Sequence, residues 1–158
     1  MAHLRRQERS RYIARMFARI SSRYDLLNTV MTAGRHYAWR RIASAIAVGR
    51  MVGPVLDVAT GTGDFAFALL SNPGVTRVIG LDYAREMLEL AARKAQRKEL
   101  ARGLTLIEGD AHALPFPDNY FICATVGFGI RNFSDVPLAL KEMARVVRPG
   151  GRVAVLEI

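Results

Sequence analysis

The chain has 158 residues, of which 51% are hydrophobic and 23% charged, with a formal net charge of +9. This length suggests one domain with a substantial core, and no apolar stretch reaches the roughly 18 residues that a membrane span requires. The basic N-terminus has no apolar h-region, so we expect no secretory signal and a cytoplasmic protein. The single cysteine, Cys123, excludes an internal disulfide framework and predicts a buried thiol. The three histidines have no partners at ligand spacing, so we predict no metal site.

Helical and strand-like patterns alternate along the chain. Helical periodicity is predicted first over 4–30 and then over 39–48, and we interpret residues 1–50 as an N-terminal helical lid. Five β-rich runs follow, and each predicts a strand: 54–60, 76–82, 104–110, 121–129 and 152–158. Between them lie three predicted helices: 63–71, 85–101 and 136–151. Such alternation is typical of a parallel sheet with helices on both faces, so residues 51–158 are predicted to form an α/β domain.

The expected sheet locates a site. In open parallel sheets, ligands bind at the carboxyl ends of the strands, where the strand order reverses. The candidate residues are therefore those just past each strand: 60–64, Asp82, 110–111 and 127–132.

The turn after the first strand raises the question of which ligand binds. Gly61-x-Gly63-x-x-Ala66 has the glycine spacing of a dinucleotide site, and Asp82 lies where a ribose-binding acid would. Asp64, however, occupies the helix N-terminus that a pyrophosphate needs. Two like charges at 4 Å and an effective dielectric near 20 cost about 4 kcal/mol. With Asp57 as a second acid, the turn favours a ligand whose end is positive and carries no phosphate.

S-adenosylmethionine is such a ligand, because it carries an ammonium, a sulfonium and a carboxylate. Gly61 and Gly63 would let the backbone approach it closely. Asp82 would accept both ribose hydroxyls. Asp110 would accept the adenine amino group, and the Ala111 N–H would donate to a ring nitrogen. The alternatives remain open that Asp64 is only a helix cap and that Asp82 and Asp110 are only turn residues.

Five segments carry a family resemblance: MFARISSRYDLLNTVMTAGRHYAWRR (16–41), VLDVATGTGDFAFALL (55–70), GLDYAREMLELAARK (80–94), GDAHALPFP (109–117) and ATVGFGIRNFSDVPLALKEMARVVRPGGRVAVLE (124–157). They resemble the C-methyltransferases of menaquinone and ubiquinone biosynthesis, within the class I S-adenosylmethionine-dependent methyltransferases. The resemblance implies a Rossmann-like sheet in which the last strands of the full family fold are missing from this chain. It also implies cofactor contacts at Thr62, Asp82, Asp110, Ala111 and Gly127. To these candidates we add Tyr83.

The resemblance further implies that the methyl acceptor is a demethylated isoprenoid quinol. Methyl transfer to a ring carbon requires loss of a neighbouring hydroxyl proton, and Arg131 would stabilise the resulting phenolate while Asn132 holds it by a hydrogen bond. His36 and Tyr24 are candidates for the general base, as is a water bound to Arg131. Alternatively, Arg131 forms a surface salt bridge with Asp135, and His36 serves helix packing.

Partners follow from the same features. Quinols reside in membranes, and the basic amphipathic N-terminal helices suit peripheral binding at the inner face of a bilayer. The last strand would be an exposed apolar edge, so we expect a homodimer formed through it. Net positive charge favours RNA, yet no aromatic–basic RNA module is present, so no nucleic-acid partner is expected. The rival functions are methylation of another small molecule or of RNA, and non-catalytic binding of S-adenosylmethionine.

Overall fold

A computed structural model describes residues 32–157. Four helices are assigned: α1 Arg35–Val48, α2 Asp64–Leu70, α3 Arg85–Arg97 and α4 Val136–Val146. Five strands are assigned: β1 Gly53–Val58, β2 Val75–Asp82, β3 Leu104–Glu108, β4 Phe121–Gly127 and β5 Val147–Leu156. Two short 3-10 turns complete the elements: Ala101–Gly103 and Ile130–Asn132. Within residues 32–157, no helix is both long and apolar enough to cross a membrane.

The five strands form one parallel sheet in the order β3-β2-β1-β4-β5. The chain runs outward from β1 to β3 and then returns to place β4 against the other side of β1. The strand order therefore reverses between β1 and β4, which is where open sheets of this kind bind ligands. The predicted parallel α/β architecture is confirmed.

Helices cover both faces of the sheet because the strand side chains alternate between two apolar clusters. Leu56 and Val58 point to one face, where they belong to the same cluster as Met143 of α4. Val55 and Cys123 point to the opposite face and join residues of α1 and α2. Burial raises the pKa of the Cys123 thiol to about 12, so the predicted buried thiol is confirmed.

Several element boundaries differ from those expected. The helix predicted from residue 39 begins at Arg35, and the helix predicted to run to residue 151 ends at Val146. Pro149 cannot continue a helix, and the segment that contains it belongs instead to β5. There the register against β4 shifts between Val147 and Arg152, and Gly150 has a φ of 79°. The Pro-Gly-Gly sequence therefore forms an irregularity at the start of a strand.

The predicted helix over 4–30 lies outside the described residues, and so does Tyr24. The division of the chain into a lid over 1–50 and a domain over 51–158 stays a prediction for the same reason. Among the described residues, β5 is one of the two edge strands of the sheet.

Candidate active site

A cavity that is open to solvent lies at the carboxyl ends of the strands. Loops from four strands form its wall, with residues drawn from 59–61, 81–84, 109–112 and 127–133. A smaller cavity shares Ala59, Gly61 and Gly127 with it and reaches β1 and α1. The strand ends singled out from the sequence are thus brought together.

Asp82, the last residue of β2, ties two of these loops together. One carboxylate oxygen accepts from the Gly61 N–H at 2.7 Å, and the other accepts from the Ala84 N–H at 2.9 Å. Burial raises the pKa of this carboxyl, while backbone N–H donors from Ala84, Gly61 and Tyr83 act in the opposite direction. Asp82 and Tyr83 both line the larger cavity, and their contact with the cofactor stays a prediction.

Asp110 is held by a neighbour that sequence reasoning did not assign to the site. Its Oδ1 accepts from the His112 backbone N–H at 2.9 Å and lies 2.5 Å from His112 Nδ1. The Asp135 N–H donates to Nε2 of the same ring at 3.2 Å, so the ring proton is on Nδ1 and points at Asp110. Both bonds fall on Oδ1, and Oδ2 can accept from a ligand amino group. The Asp-x-His spacing was the signal that could have identified His112.

Asp57 lies inside β1 and is 1% exposed. Its two oxygens accept from the hydroxyls of Thr60 at 2.6 Å and Thr125 at 2.7 Å. Burial raises the pKa of this carboxyl to about 6, and the two hydroxyls and the charge of Arg40 oppose that shift. The Asp57 carboxyl group lines the smaller cavity. Because the group is buried, its ionised form is costly in free energy.

The glycine turn after β1 combines close packing with an open side. Gly61 and Gly63 have φ values of 56° and 88°, a left-handed conformation that favours glycine. A Cβ on Gly63 would lie 2.9 Å from Phe67, whereas a Cβ on Gly61 would meet nothing within 4 Å. The backbone at Gly61 is therefore accessible to a ligand, whereas Gly63 packs against the protein itself.

Lys94 changes the electrostatic argument made from the sequence. Its ammonium forms a salt bridge with Asp64 and donates to Thr62 Oγ1 at 3.2 Å. The Asp64 charge is thus partly neutralised, which weakens the expected repulsion of a pyrophosphate. Thr62 is buried and lines the smaller cavity.

The loop after β4 packs closely against neighbouring elements at two glycines. The strand ends at Gly127, two residues earlier than predicted. A Cβ on Gly127 would lie 2.7 Å from Phe65, and one on Gly129 would lie 2.8 Å from Ala59. Glycine at both positions lets the loop approach α2 and the end of β1 closely. Phe128, between them, has a φ of 58° and lies under the Arg40 guanidinium at 4.9 Å.

Residues 5–158 match the model of the ubiE/COQ5 methyltransferase family. The chain belongs to this family. It is 45% identical over 152 residues to a demethylmenaquinone methyltransferase of Deinococcus radiodurans, covering 96% of this chain and 62% of the relative. It is 47% identical over 144 residues to a demethylmenaquinone methyltransferase of Thermus thermophilus, covering 90% of this chain and 64% of the relative.

A solved structure supports the fold of this family member. A SAM-dependent methyltransferase from Thermotoga maritima superposes with a TM-score of 0.62 at 26% identity, covering 89% of this chain and 59% of that one. The Rossmann-like fold of class I methyltransferases is thereby confirmed. The chain spans less than two thirds of the length of these proteins.

Of the predicted catalytic residues of this ubiE/COQ5 family member, Asn132 alone among those described lines the larger cavity. The Arg131 side chain is 56% exposed and forms a salt bridge with Glu157. It belongs to neither of these two cavity walls, and its contact with the acceptor stays a prediction. Its partner is also not Asp135, which instead caps α4 by accepting from the Leu138 N–H at 3.1 Å.

His36 is 1% exposed, and its Nδ1 accepts a hydrogen bond from the Arg40 guanidinium. A guanidinium can only donate, so the lone pair of Nδ1 is engaged and cannot take a proton from an acceptor in this arrangement. His36 lines neither cavity. Its position matches the packing alternative better than the general-base hypothesis. Within residues 32–157, no three His, Cys, Asp or Glu side chains form a group that could hold a metal.

Proposed function

We propose that this chain binds S-adenosylmethionine and C-methylates a demethylated isoprenoid quinol. The observation that carries the proposal is the convergence of Asp82 and Asp110 on one cavity beside the accessible backbone of Gly61. Membership of a methyltransferase family supports the reaction class. The curated relatives reported above, both named demethylmenaquinone methyltransferase, support the acceptor.

The residues present fit the cofactor group by group. Asp82 suits the ribose hydroxyls, and Asp110 with the Ala111 N–H suits the adenine edge. Leu81, Met87 and Phe133 line the same cavity with apolar surface for the adenine ring. The smaller cavity, which continues from the larger one past Gly61 and Gly127, offers the buried Asp57 carboxylate to an ammonium.

S-adenosylmethionine supplies an electrophilic methyl group on its sulfonium. The protein positions the quinol ring and stabilises negative charge on the ring oxygen. Asn132 lines the cavity and can donate an amide N–H to that oxygen. Arg131 belongs to the same short turn as Asn132. If the Arg131 guanidinium released Glu157 and bound the phenolate instead, it would bring its positive charge to the acceptor. Tyr24 and a water bound to Arg131 stay candidates for the base.

The direct test is transfer of a labelled methyl group to quinols embedded in vesicles. Demethylmenaquinol and the ubiquinol precursor are offered side by side, and we expect label in demethylmenaquinol. Binding of S-adenosylmethionine without transfer to either quinol would favour a non-catalytic binding protein. Transfer to RNA under the same conditions would favour the rival acceptor class.

A variant separates positioning of the acceptor from binding of the cofactor. Arg131→Met is expected to lower turnover at least tenfold and to leave S-adenosylmethionine affinity within twofold, because Arg131 lies outside both cavity walls. Arg148→Met, which removes an exposed arginine of β5, is the matched control. An equal collapse of cofactor affinity, measured by calorimetry, would contradict the role given to Arg131.

Contact with the bilayer surface, on the cytoplasmic side, is part of the proposal because the acceptor has an isoprenoid tail. Ile42 and Ile46 stand one helical turn apart on α1, and Ile46 is 65% exposed. Val52 and Arg50 follow directly and are exposed as well. Exposed apolar residues next to a basic one suit interfacial binding.

We also propose self-association through β5. Among the described residues this strand pairs with β4 and with no other strand, and Val155 is 46% exposed. An apolar edge strand tends to pair with another chain. Light scattering should therefore show a dimer that Val155→Lys converts to monomer, while Val52→Lys leaves it intact. A native protein that is monomeric at all concentrations would disprove this interface.

A further inference from the structure

Arg40 is a buried cation with a place in the smaller cavity. It extends from α1, is 6% exposed, and lines that cavity together with Asp57 and Thr62. Its guanidinium lies 4.9 Å from the centroid of the Phe128 ring. Arginine stays charged when buried, so burial of this side chain is costly unless an anion compensates for it.

The contacts of Arg40 do not supply that anion. Both of its hydrogen bonds use Nη1, one to the His36 ring and one to the His36 carbonyl at 3.4 Å. No carboxylate within residues 32–157 lies within the 4.0 Å of a salt bridge to it. Asp57 is close enough for the two charges to interact, but its oxygens accept from Thr60 and Thr125. Nε and Nη2 are therefore the donors that remain for a ligand.

We propose that Arg40 binds the carboxylate of the amino-acid end of S-adenosylmethionine. This inference rests on the cofactor named under the proposed function and is independent of the methyl acceptor. The smaller cavity presents a cation and an anion, and an α-amino acid end presents the opposite pair. The ammonium is matched by Asp57 and the carboxylate by the fork of a guanidinium, which carboxylates accept in bidentate fashion.

The surroundings of Arg40 fix its orientation. His36 accepts from Nη1 on one side, and the Phe128 ring supports the guanidinium on another. Phe128 keeps a left-handed φ of 58°, a conformation that costs free energy in a non-glycine residue and persists where the surrounding structure imposes it. His36 and Phe128 are therefore positioning residues, and binding of the carboxylate would hold α1 against the loop after β4.

The test compares two ligands that differ only in the carboxylate. Calorimetry with S-adenosylmethionine and with its decarboxylated analogue should show that the native chain prefers the former by 20- to 100-fold. Arg40→Met should lose this preference, with weaker binding of S-adenosylmethionine and binding of the analogue unchanged within threefold. Arg40→Lys should keep part of it. Arg41→Met, an exposed neighbour on the same helix, should keep all of it.

The outcomes that overturn the inference are distinct from failure of the proposed function. Equal affinity of the native chain for both ligands removes the role of Arg40 and leaves the cofactor in place. Retention of the full preference by a folded Arg40→Met does the same. If the native chain binds neither ligand, the cofactor assignment fails and the role of Arg40 fails with it.

Discussion

Asp82→Asn is expected to weaken the binding of S-adenosylmethionine by about 100-fold. The carboxylate lies at the end of β2, lines the larger cavity and accepts from two backbone N–H groups. Hydrogen bonds to a charged group contribute about 1.5–3 kcal/mol each, and 1.4 kcal/mol is a factor of ten in affinity. The substitution turns one acceptor atom into a donor and removes the charge, so bonds to both ribose hydroxyls are weakened.

The matched control for this variant is Glu108→Gln. Glu108 ends the neighbouring strand β3, is exposed, and undergoes the same change of charge outside the cavity wall. Calorimetry should show native affinity for the control, and thermal unfolding without ligand should confirm that both variants are folded. A loss below fivefold in a folded Asp82→Asn protein would mean that the ribose does not bind at this carboxylate.

Asp57→Asn is expected to change how stability depends on pH. Burial raises the pKa of this carboxyl from 3.8 to about 6. The folded state therefore binds the proton more tightly than the unfolded state, and the resulting stability is complete below pH 4 and lost as the pH rises through 6. A shift of about two pKa units corresponds to about 3 kcal/mol. Asparagine has no proton to lose, so the variant should escape this loss.

Denaturant unfolding from pH 4 to pH 8 measures the effect. Relative to the native chain, the unfolding free energy of Asp57→Asn should rise by about 2 kcal/mol between pH 4 and pH 7.5. Asp118→Asn, which alters an exposed acid in the segment before β4, should show no comparable trend. A constant difference across this range would show that Asp57 titrates normally.

Ionisation of Asp57, which lowers the stability of the fold, should strengthen the binding of the cofactor. An ionised Asp57 is needed to match the cofactor ammonium, so native affinity should rise as the pH passes 6, and the affinity of Asp57→Asn should stay flat. The chain would thus give up stability near neutrality in order to hold a buried anion where the ligand needs one.

Much of the site could be predicted from the sequence because the chemistry sits at strand ends. Hydrophobic runs and short links defined the five strands, and a parallel sheet requires their carboxyl ends to share one edge. Asp82, Asp110 and Gly61 could therefore be assigned to one site from the sequence alone. The helix over 136–151 was predicted to be closed by Pro-Gly-Gly, but it ends at Val146, because local signals do not reveal that β4 supplies a pairing partner for the residues that follow.

Long-range contacts decided what local patterns could not. Pairing of Lys94 with Asp64 joins residues 30 positions apart, and it changed the electrostatic case against a pyrophosphate. Arg131 was assigned to the pocket from its place just after the fourth strand, but its partner in the structure, Glu157, lies 26 residues away, past the end of β5.

The sequence alone determined the sheet, its helices, the acidic strand ends and the family resemblance, since these depend on periodicity and on motifs within short segments. The tertiary structure decided that Arg40 is buried on Phe128, that His112 orients Asp110, and that Asp57 is a costly anion. Burial and electrostatic coupling are properties of the packed chain, because they arise from residues that are remote in sequence and adjacent in space.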